Sequence, residues 1–356
     1  MKFIRRLLFV LIGIALLYLL FLPLPFGPMA AWNPPTPPAP VGPYAPNTLL
    51  SRVDRLDLGH FAPEDIALDA AGNIYGGTID GKIMRLDPSG KNPQVFADTS
   101  GRPLGLIFDK DGTLLVCDSV KGLLRVSADG KTITSLATEA EGVPFRCTND
   151  LDVAADGTIY FTDSSFKYPI ELFLFNLIEH QPFGRFMSYD PKTKAVKVLA
   201  SNLYFSNGVA VSPDQSYVLF VETATYRVSR YWISGPKQGQ TEVFIDDLPG
   251  IPDGILGNGK GQYWLTLVTP RSTTFDSLLA HPLLRKIFLR LPSSLRPKDQ
   301  DFAYVMEVDG SGKPLLTLQD TSPNAFIKIT NAVERDGNLY LGNIGQSAIG
   351  RAALPK

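Results

Sequence analysis

Residues 146–163, which read RCTNDLDVAADGTIYFTD, decide the fold of this chain. The second half of this stretch combines a tight Asp-Gly turn with a strand in which β-forming residues are grouped. The first half places two side chains that carry a carbonyl oxygen, Asn149 and Asp150, just ahead of a short apolar strand. The same order of polar residue, short strand, glycine turn and second strand recurs along the chain, so this stretch is one unit of a repeat.

Six copies of this unit predict an all-β fold, a six-bladed β-propeller. The basic spacing is about 40 to 45 residues, which is the spacing of four-stranded blades. One blade cannot cover its own apolar faces, so the blades are expected to close into a ring as one cooperative domain. A β-sandwich or a β-solenoid is the alternative. The six turns with their strands lie at residues 71–75, 111–115, 156–160, 213–218, 259–264 and 336–340.

Residues 1–26 have the pattern of a transmembrane signal anchor. A short basic segment precedes the uncharged apolar run 7–22, which as a helix would be roughly 24 Å long. A cleaved signal peptide is the alternative, because the small residues Ala30 and Ala31 follow. The basic residues would stay in the cytoplasm, so we expect a single-pass membrane protein with the propeller on the periplasmic or extracytoplasmic side.

Two further kinds of segment surround the predicted blades. Residues 27–49 are rich in proline and predict a semi-rigid linker that lifts the domain off the membrane. The propeller domain is assigned to residues 50–356. Within it, residues 167–182 and 272–297 exceed the blade spacing and are too apolar for exposed loops, so we expect short helical insertions. These insertions either form a local cap, or roof a substrate site and touch the membrane surface.

Composition excludes several classes of function. The chain has 356 residues and a net charge of −1, with no basic stripe, so nucleic acid is not an expected partner. The Gly-x-Ser-x-Gly and His-Glu-x-x-His motifs of nucleophilic and zinc hydrolases are absent. The two cysteines, Cys117 and Cys147, are expected to be buried free thiols, with a single disulfide bond as the alternative.

Oxygen-bearing side chains recur at one position of the repeat. Glu64, Asn149, Asn207 and Asp253 each come directly before the innermost strand of their predicted blade. In a propeller those strand starts converge on the central axis at one mouth of the tunnel. Two carboxylates and two amides suit a hard cation that takes about 6–8 oxygen ligands, which points to Ca²⁺, with another divalent cation as the alternative.

The chain resembles the gluconolactonase and paraoxonase-like calcium-dependent propellers. It is most similar to their branch that contains adipocyte plasma membrane-associated protein and the strictosidine synthase-like proteins. The resemblance implies calcium-dependent hydrolysis of esters or lactones, with Glu64, Asn149, Asn207 and Asp253 matching the metal ligands of the family. The motifs that carry it lie at residues 160–165, 206–209, 221–223, 230–232 and 248–253.

The chain also departs from parts of this family. Strictosidine synthase has a catalytic glutamate at the position of Thr330, so the condensation that it catalyses is not expected here. Leu104 occupies the position of a paraoxonase histidine, and Gly254 follows the aspartate ligand as in gluconolactonases. Asp65 and Asp150 match residues that hold a second, structural calcium in paraoxonases, but we prefer a role in orienting the neighbouring ligands.

These observations predict a membrane-anchored, calcium-dependent hydrolase of lactones or aryl esters, comparable to a lactonase or arylesterase. A metal-activated water would attack a carbonyl that the central Ca²⁺ polarises, with Asp253 and Glu64 as the catalytic residues. Weaker candidates for lining the substrate are Arg146, Glu222 and Arg271. The alternative is a non-enzymatic binding or scaffold module with a structural metal, and a strictosidine synthase-like lyase is a more remote one.

Overall fold

A computed structural model describes residues 2–27, 29–297 and 300–355 of the chain. Met1, Pro28, Lys356 and residues 298–299 lie outside this range, so the outermost residues of the predicted anchor, linker and propeller segments are not described. The described residues form six four-stranded antiparallel sheets, which confirms the predicted propeller. Each sheet is one blade, and its first strand lies nearest the central axis.

The strands follow one another blade by blade along the chain, and only the first one lies outside this order. Strand β1 spans Asp54–Asp57. Blade 1 consists of β2 (Ile66–Leu68), β3 (Ile74–Gly77), β4 (Lys82–Leu86) and β5 (Gln94–Asp98). Blade 2 consists of β6 (Pro103–Phe108), β7 (Leu114–Asp118), β8 (Gly122–Val126) and β9 (Ile133–Ala137). A small hairpin of β10 (Glu139–Ala140) and β11 (Val143–Pro144) leads into blade 3.

The remaining blades repeat the same order. Blade 3 consists of β12 (Thr148–Val153), β13 (Ile159–Asp163), β14 (Gly184–Asp190) and β15 (Ala195–Leu203). Blade 4 consists of β16 (Ser206–Val211), β17 (Tyr217–Glu222), β18 (Arg227–Trp232) and β19 (Thr241–Ile245). Blade 5 consists of β20 (Gly250–Gly257), β21 (Gln262–Pro270), β22 (Ala303–Asp309) and β23 (Pro314–Asp320). Blade 6 consists of β24 (Ile329–Arg335), β25 (Asn338–Asn343), β26 (Ala348–Ala353) and β1.

The ring is closed by pairing between the two ends of the domain. Strand β1 is the outermost strand of blade 6 and pairs antiparallel with β26, from Asp54 opposite Arg351 to Asp57 opposite Ala348. Apolar side chains of neighbouring blades pack into shared cores; Tyr75 of blade 1, for example, packs in one cluster with Val116 of blade 2. Closure therefore buries the apolar faces that a single blade would expose.

The loops of the ring lie on two opposite faces. The mouth face contains the connections between blades and the loops between the second and third strands, because both meet the starts of the inner strands. The base face contains the turns between first and second strands and between third and fourth strands. The predicted Asp-Gly turns all lie on the base face, whereas the predicted ligands lie on the mouth face.

Four α-helices complete the described structure, and three of them form the predicted insertions. Helix α1 (Lys2–Phe21) is the one described helix that is long and apolar enough to cross a membrane, which is compatible with an anchor. Helix α2 (Phe173–Glu179) lies between β13 and β14, and α3 (Thr273–Leu279) and α4 (Pro282–Arg290) lie between β21 and β22. Both insertions are on the mouth face. Single 3₁₀ turns occur at Gly42–Tyr44, Ile170–Leu172, Thr223–Thr225 and Ser293–Leu295.

The proline-rich linker is extended but does not stand free of the ring. The Trp32 ring stacks on the His180 ring at the end of α2, with 4.2 Å between the ring centres. Arg271 donates a hydrogen bond of 2.5 Å to the Pro35 carbonyl, and Thr317 of blade 5 donates one of 2.8 Å to Pro43. The linker therefore packs along the ring, since composition predicts an extended backbone but not where it packs, and a spacing of the domain from the membrane stays a prediction.

The two cysteines are buried and free, as expected. Cys117 lies in β7, and Cys147 lies just ahead of β12. The Cys117 thiol donates to the Asp150 carbonyl at 3.5 Å, so it has a packing role beside the inner strand of blade 3.

Candidate metal centre

The candidate ligands lie where the inner strands are irregular. In five inner strands the pairing register shifts by a β-bulge, which re-aims the two bulged residues relative to a regular strand. In blade 1 the equivalent two residues come just before β2, where the Glu64 amide donates to the Gly77 carbonyl at 3.3 Å. We call these two residues the mouth pair of each blade. The six mouth pairs are Glu64–Asp65, Leu104–Gly105, Asn149–Asp150, Asn207–Gly208, Asp253–Gly254 and Thr330–Asn331.

The second residue of a mouth pair is a glycine where the next blade approaches closely. A Cβ atom on Gly208 would lie 2.5 Å from the Ile255 amide nitrogen of blade 5. A Cβ atom on Gly254 would lie 2.5 Å from the Thr330 carbonyl of blade 6. A Cβ atom on Gly105 would likewise lie too close to the backbone of blade 3. These glycines let the inner strands converge tightly on the axis.

The first residue of a mouth pair carries the predicted ligand set. Glu64, Asn149, Asn207 and Asp253 occupy this position in blades 1, 3, 4 and 5. Leu104 and Thr330 occupy it in blades 2 and 6. Asn149, Asn207 and Asp253 are all buried, and Glu64 is half-buried. The structure therefore places the four side chains at equivalent points around one axis.

Two of these side chains are in direct contact. The Asn207 amide donates hydrogen bonds to the Asp253 carboxylate and, at 3.1 Å, to the Thr223 hydroxyl. Asn149 donates a hydrogen bond of 2.8 Å to the Ser164 hydroxyl, which in turn donates to the Ser206 carbonyl of blade 4 at 2.6 Å. Hydroxyl groups from neighbouring loops thus hold both amides in place.

The carboxyl groups at the mouth interact electrostatically with one another. Burial raises the pKa of Glu64 to about 7, and the positive charge of Arg102 opposes this rise. Burial and the negative charge of Glu64 raise the pKa of Asp253, while the hydrogen bond from Asn207 opposes that rise. Burial raises the pKa of Asp150 to about 8, and Glu64 adds to the rise. The centre thus collects negative charge that the protein alone does not fully compensate.

Asp65 and Asp150 join neighbouring inner strands. Asp65 accepts hydrogen bonds from its own Ile66 amide at 2.6 Å and from the Leu106 amide of blade 2 at 2.7 Å. Asp150 does the same for Leu151 at 2.8 Å and for Val209 of blade 4 at 2.7 Å. Both carboxylates are therefore engaged by backbone donors beside the candidate ligands. A supporting role agrees with this geometry, and a second metal stays a prediction.

Arg102 is a residue of the centre that sequence reasoning did not assign. Its guanidinium is buried and donates to the Ala62 carbonyl at 3.1 Å and to the Gly77 carbonyl at 3.4 Å. Burial lowers the pKa of Arg102, while the charge of Glu64 raises it. The available signal was a single basic residue directly before β6.

The three candidates for lining the substrate lie in different environments. Arg146 is exposed just ahead of β12. Glu222 is buried, and its carboxylate accepts hydrogen bonds of 2.8 Å from both Arg227 and Ser229. The Arg271 side chain is buried, with its Nη2 atom 2.7 Å from the Asp276 carboxylate. Glu222 and Arg271 therefore have structural partners, and their contact with substrate stays a prediction.

The helical insertions cover part of the mouth. A small apolar cavity of about 10 Å³ lies between them and the ring, beside Thr223. This volume holds about one water molecule, so a larger ligand requires displacement of the insertions. We call α2, α3 and α4 together the lid. The cavity is lined by Leu177, Thr223, Ala224, Tyr226, Ile251, Phe275 and Leu279.

Solved structures share this architecture at low sequence identity. A gluconolactonase from Xanthomonas campestris superposes with a TM-score of 0.63 and 19% identity, over 93% of this chain and 99% of the other. The calcium-binding protein regucalcin from Agrobacterium tumefaciens superposes with a TM-score of 0.60 and 16% identity, over 84% of this chain and 93% of the other. At these identities the likeness shows the fold alone.

Sequence comparisons give the family. Residues 149–236 match the strictosidine synthase model, and residues 42–86 match the strictosidine synthase-like N-terminal model. Strictosidine synthase-like protein 6 of Arabidopsis thaliana is 40% identical over 301 residues, which are 83% of this chain and 80% of the relative. Adipocyte plasma membrane-associated protein of Bos taurus is 36% identical over 320 residues, which are 84% of this chain and 77% of the relative. The chain therefore belongs to the strictosidine synthase-like family of six-bladed propellers.

Proposed function

We propose that this protein is a membrane-anchored, calcium-dependent hydrolase of lactones or aryl esters. The observation that carries the proposal is the placement of Glu64, Asn149, Asn207 and Asp253 at the same mouth-pair position of four blades. The inner strands surround the axis of the closed ring. This position therefore lies at the axis, and the four oxygen-bearing side chains face a common centre. The shared fold of a gluconolactonase and of a calcium-binding regucalcin supports the same reading.

The donor set fits calcium better than a transition metal. In the described part of the chain, no group of three His, Cys, Asp or Glu side chains is arranged to hold a metal ion. A site at this centre therefore needs the amide oxygens of Asn149 and Asn207 besides the carboxylates, and such an all-oxygen donor set fits Ca²⁺ better than zinc or copper, which prefer nitrogen and sulfur ligands. The raised pKa values of Glu64 and Asp253 point the same way, because a bound cation would compensate their negative charge.

Each of the four candidate ligands would have its own role in hydrolysis. Asn149 and Asn207 orient their amide oxygens toward the centre; for Asn207 this needs a half-turn of the amide that it now directs at Asp253. When bound, calcium supplies positive charge that polarises a substrate carbonyl and stabilises the oxyanion. Asp253 would accept a proton from the attacking water, because it is a carboxylate at the first position of a mouth pair beside the centre. Glu64 holds the opposite side of the centre.

The lid sets a condition on turnover. Because the cavity beside Thr223 holds about one water molecule, an aryl ester or a lactone occupies that cavity only when the lid moves away from the ring. Lid residues such as Leu177 and Phe275 then contact the substrate. Selectivity between esters and lactones would therefore come from the insertions rather than from the mouth pairs.

A chelator-controlled substrate screen tests the proposal. The full-length protein in detergent is assayed against a panel of aryl acetates and lactones, with excess chelator and then with calcium restored. We expect turnover that chelator removes and calcium restores, while circular dichroism shows the same β-rich fold throughout. Turnover that is equal with and without chelator would contradict a catalytic metal.

A non-enzymatic binding module with a structural metal is the second candidate. The small cavity between the lid and the ring beside Thr223 favours it, because that cavity admits about one water molecule. A protein that binds calcium but is inert on the whole panel would support this candidate. A lyase of the strictosidine synthase type has less support, since Thr330 occupies the place of the catalytic glutamate and donates its hydroxyl hydrogen to the Glu64 carbonyl at 2.5 Å.

The predicted orientation in the membrane belongs to the same proposal. Lys2, Arg5 and Arg6 lie at the start of α1, and α1 has no acidic residue in its first turn. Basic residues at one end of a spanning helix favour the cytoplasmic side, so the propeller would lie on the periplasmic or extracytoplasmic side. A cysteine at an exposed position of the ring that reacts with a membrane-impermeant reagent in intact cells would agree with this orientation.

A further inference from the structure

Exposed apolar side chains of the ring are concentrated on the mouth face. They come from the loops of five blades, and several are about half exposed although Leu, Ile, Val and Phe are usually buried. The mouth loops of blade 4 lie under the lid, where the Tyr204 ring packs 4.9 Å from the His180 ring. Representative side chains with their exposed fractions are Phe61 (48%), Ile79 (58%), Val120 (57%), Phe173 (44%), Leu283 (57%) and Ile344 (36%).

The base face has the opposite character. Among the described residues, its turns expose no large apolar side chain. These turns instead carry exposed charged side chains of both signs, such as Asp111 and Lys131 in blade 2 and Asp214 in blade 4. The two faces of the same ring therefore differ in polarity, and single apolar residues scattered at random would not produce this difference.

Helix α1 is fixed to the mouth face at its C-terminal end. Arg290 of α4 donates hydrogen bonds to the Leu19 carbonyl at 2.7 Å and to the Leu22 carbonyl at 3.0 Å. The same lid helix exposes Leu283 and Leu284 in its first turn. The exposed apolar side chains of α1 and of α4 therefore lie on two helices that are in contact, and a bilayer that surrounds α1 reaches the lid on the mouth face.

We propose that the mouth face docks on the surface of the bilayer that contains α1. Its apolar side chains enter the boundary between headgroups and acyl chains, as the apolar face of an interfacial helix does. The charged base face remains in water. This docking does not depend on the proposed hydrolase, but if both hold, the candidate metal centre opens toward lipid and takes apolar esters or lactones that partition into the membrane.

Blade 2 provides the decisive position for a test. In a six-bladed ring it lies opposite blade 5, which carries α4 and the contact with α1. A ring that hangs from α1 by this contact alone would keep Val120 in water. A ring that docks flat would bring Val120 and Ile79 into lipid together with the lid.

The experiment uses full-length protein reconstituted into phosphatidylcholine vesicles. A single environment-sensitive fluorophore is attached through Val120→Cys or Ile79→Cys, and through Lys131→Cys as the control, because Lys131 is exposed on the base face of the same blade as Val120. The two native thiols are buried and do not compete for the label. Quenching is then measured with doxyl groups carried on the acyl chains of the lipid.

We expect quenching at residues 79 and 120 to exceed quenching at residue 131 by at least about twofold, since interfacial insertion places side chains within reach of acyl chains. Equal quenching at all three positions would overturn the proposal. Efficient crosslinking between two copies through Val120→Cys, without lipid quenching, would assign the face to a second copy and would also overturn it. None of these readouts uses enzymatic activity. The docking proposal can therefore be refuted while the hydrolase proposal holds, and the hydrolase proposal can be refuted while the docking proposal holds.

Discussion

The Asn207 amide of blade 4 donates a hydrogen bond to the Asp253 carboxylate of blade 5, and so joins two neighbouring blades at the axis. The two residues are separated by 46 positions in sequence and meet because the inner strands of the adjacent blades 4 and 5 pack side by side. The contact compensates part of the negative charge of Asp253 in the absence of a cation. A cation at this centre would compete with the amide for the same carboxylate oxygen.

Replacement of the Asp253 carboxylate is expected to abolish calcium-dependent activity. In Asp253→Ala the centre loses one of two charged ligands, and we expect calcium affinity to fall by at least about tenfold, which corresponds to ~1.4 kcal/mol. Isothermal titration calorimetry and an aryl acetate assay measure the two effects. Asp152→Asn is the control, because Asp152 is an inner-strand carboxylate that binds the Val211 amide at 2.7 Å. Calcium affinity that is unchanged in Asp253→Ala would refute the assigned site.

Packing at the inner strands predicts that replacement by alanine lowers the free energy of unfolding much more at one glycine of β20 than at another. A Cβ atom on Gly254 would lie 2.5 Å from a backbone oxygen of blade 6, so Gly254→Ala should lower the free energy of unfolding by about 1–3 kcal/mol. On Gly257 the nearest atom is a Tyr263 ring carbon at 3.5 Å, and Gly257→Ala should change stability by no more than ~0.5 kcal/mol. Denaturant unfolding of both variants tests this, and equal effects would contradict the close approach of blades 5 and 6.

The Asp65→Asn variant, which keeps the size of the side chain, is expected to destabilise the ring because Asp65 links two inner strands. Each Asp65 oxygen accepts a backbone amide, so the new side-chain NH₂ would face an amide hydrogen instead of a free electron pair. We expect a loss of about 1–3 kcal/mol in the free energy of unfolding. Asp54→Asn is the matched control, because this carboxylate is largely exposed and pairs with Arg351 at the surface. Similar losses in both variants would show that the Asp65 link does not contribute.

His180, on which Trp32 of the linker packs, predicts that the free energy of unfolding depends on pH in the acid range. Burial and the charge of Arg285 lower the pKa of His180 to about 3, from 6.5 in an exposed histidine. The folded state therefore excludes this proton, so the contribution of His180 to stability is constant above pH 6.5 and falls below it by up to ~1.4 kcal/mol per pH unit toward pH 3, whereas the raised pKa values of Glu64 and Asp150 contribute with the opposite sign. Comparison of unfolding at pH 6.5 and 5 measures the slope.

A matched pair of variants isolates this effect. His180→Phe keeps an aromatic ring for Trp32 to stack on but has no titrating group, so its stability should depend less on pH than that of the unmodified protein. His281→Phe replaces an exposed histidine and should leave the slope unchanged. An identical slope in His180→Phe would mean that the Trp32–His180 contact does not resist protonation.

The sequence was sufficient to predict the fold and the equivalent positions of the candidate ligands. Repeated turns with their strands gave the number of blades, and the offset of Asn149, Asn207 and Asp253 from those strands was the same in each repeat. Equivalent offsets become equivalent points on the axis once the ring closes, and for this reason a local pattern could predict a long-range arrangement. Membership of the strictosidine synthase-like family agrees with that prediction.

Contacts between segments that do not repeat could not be predicted in this way. Trp32 packs on His180, and Arg102 lies beside Glu64, but no periodicity connects either pair. Glu222 has a buried partner in Arg227 five positions later, yet the sequence could not distinguish a paired carboxylate from one that faces a substrate. These residues owe their positions to tertiary packing rather than to local pattern.

The pairing of β1 with β26 has a consequence for the synthesis of the protein. The chain emerges from the ribosome in order, so β1 precedes all other strands of the ring and waits for the partner that follows them. Until β26 is made, blade 6 is incomplete and the unfinished ring has open strand edges that invite aggregation. We therefore expect nascent chains truncated before residue 348 to associate with chaperones and to be degraded by proteases that spare the finished ring.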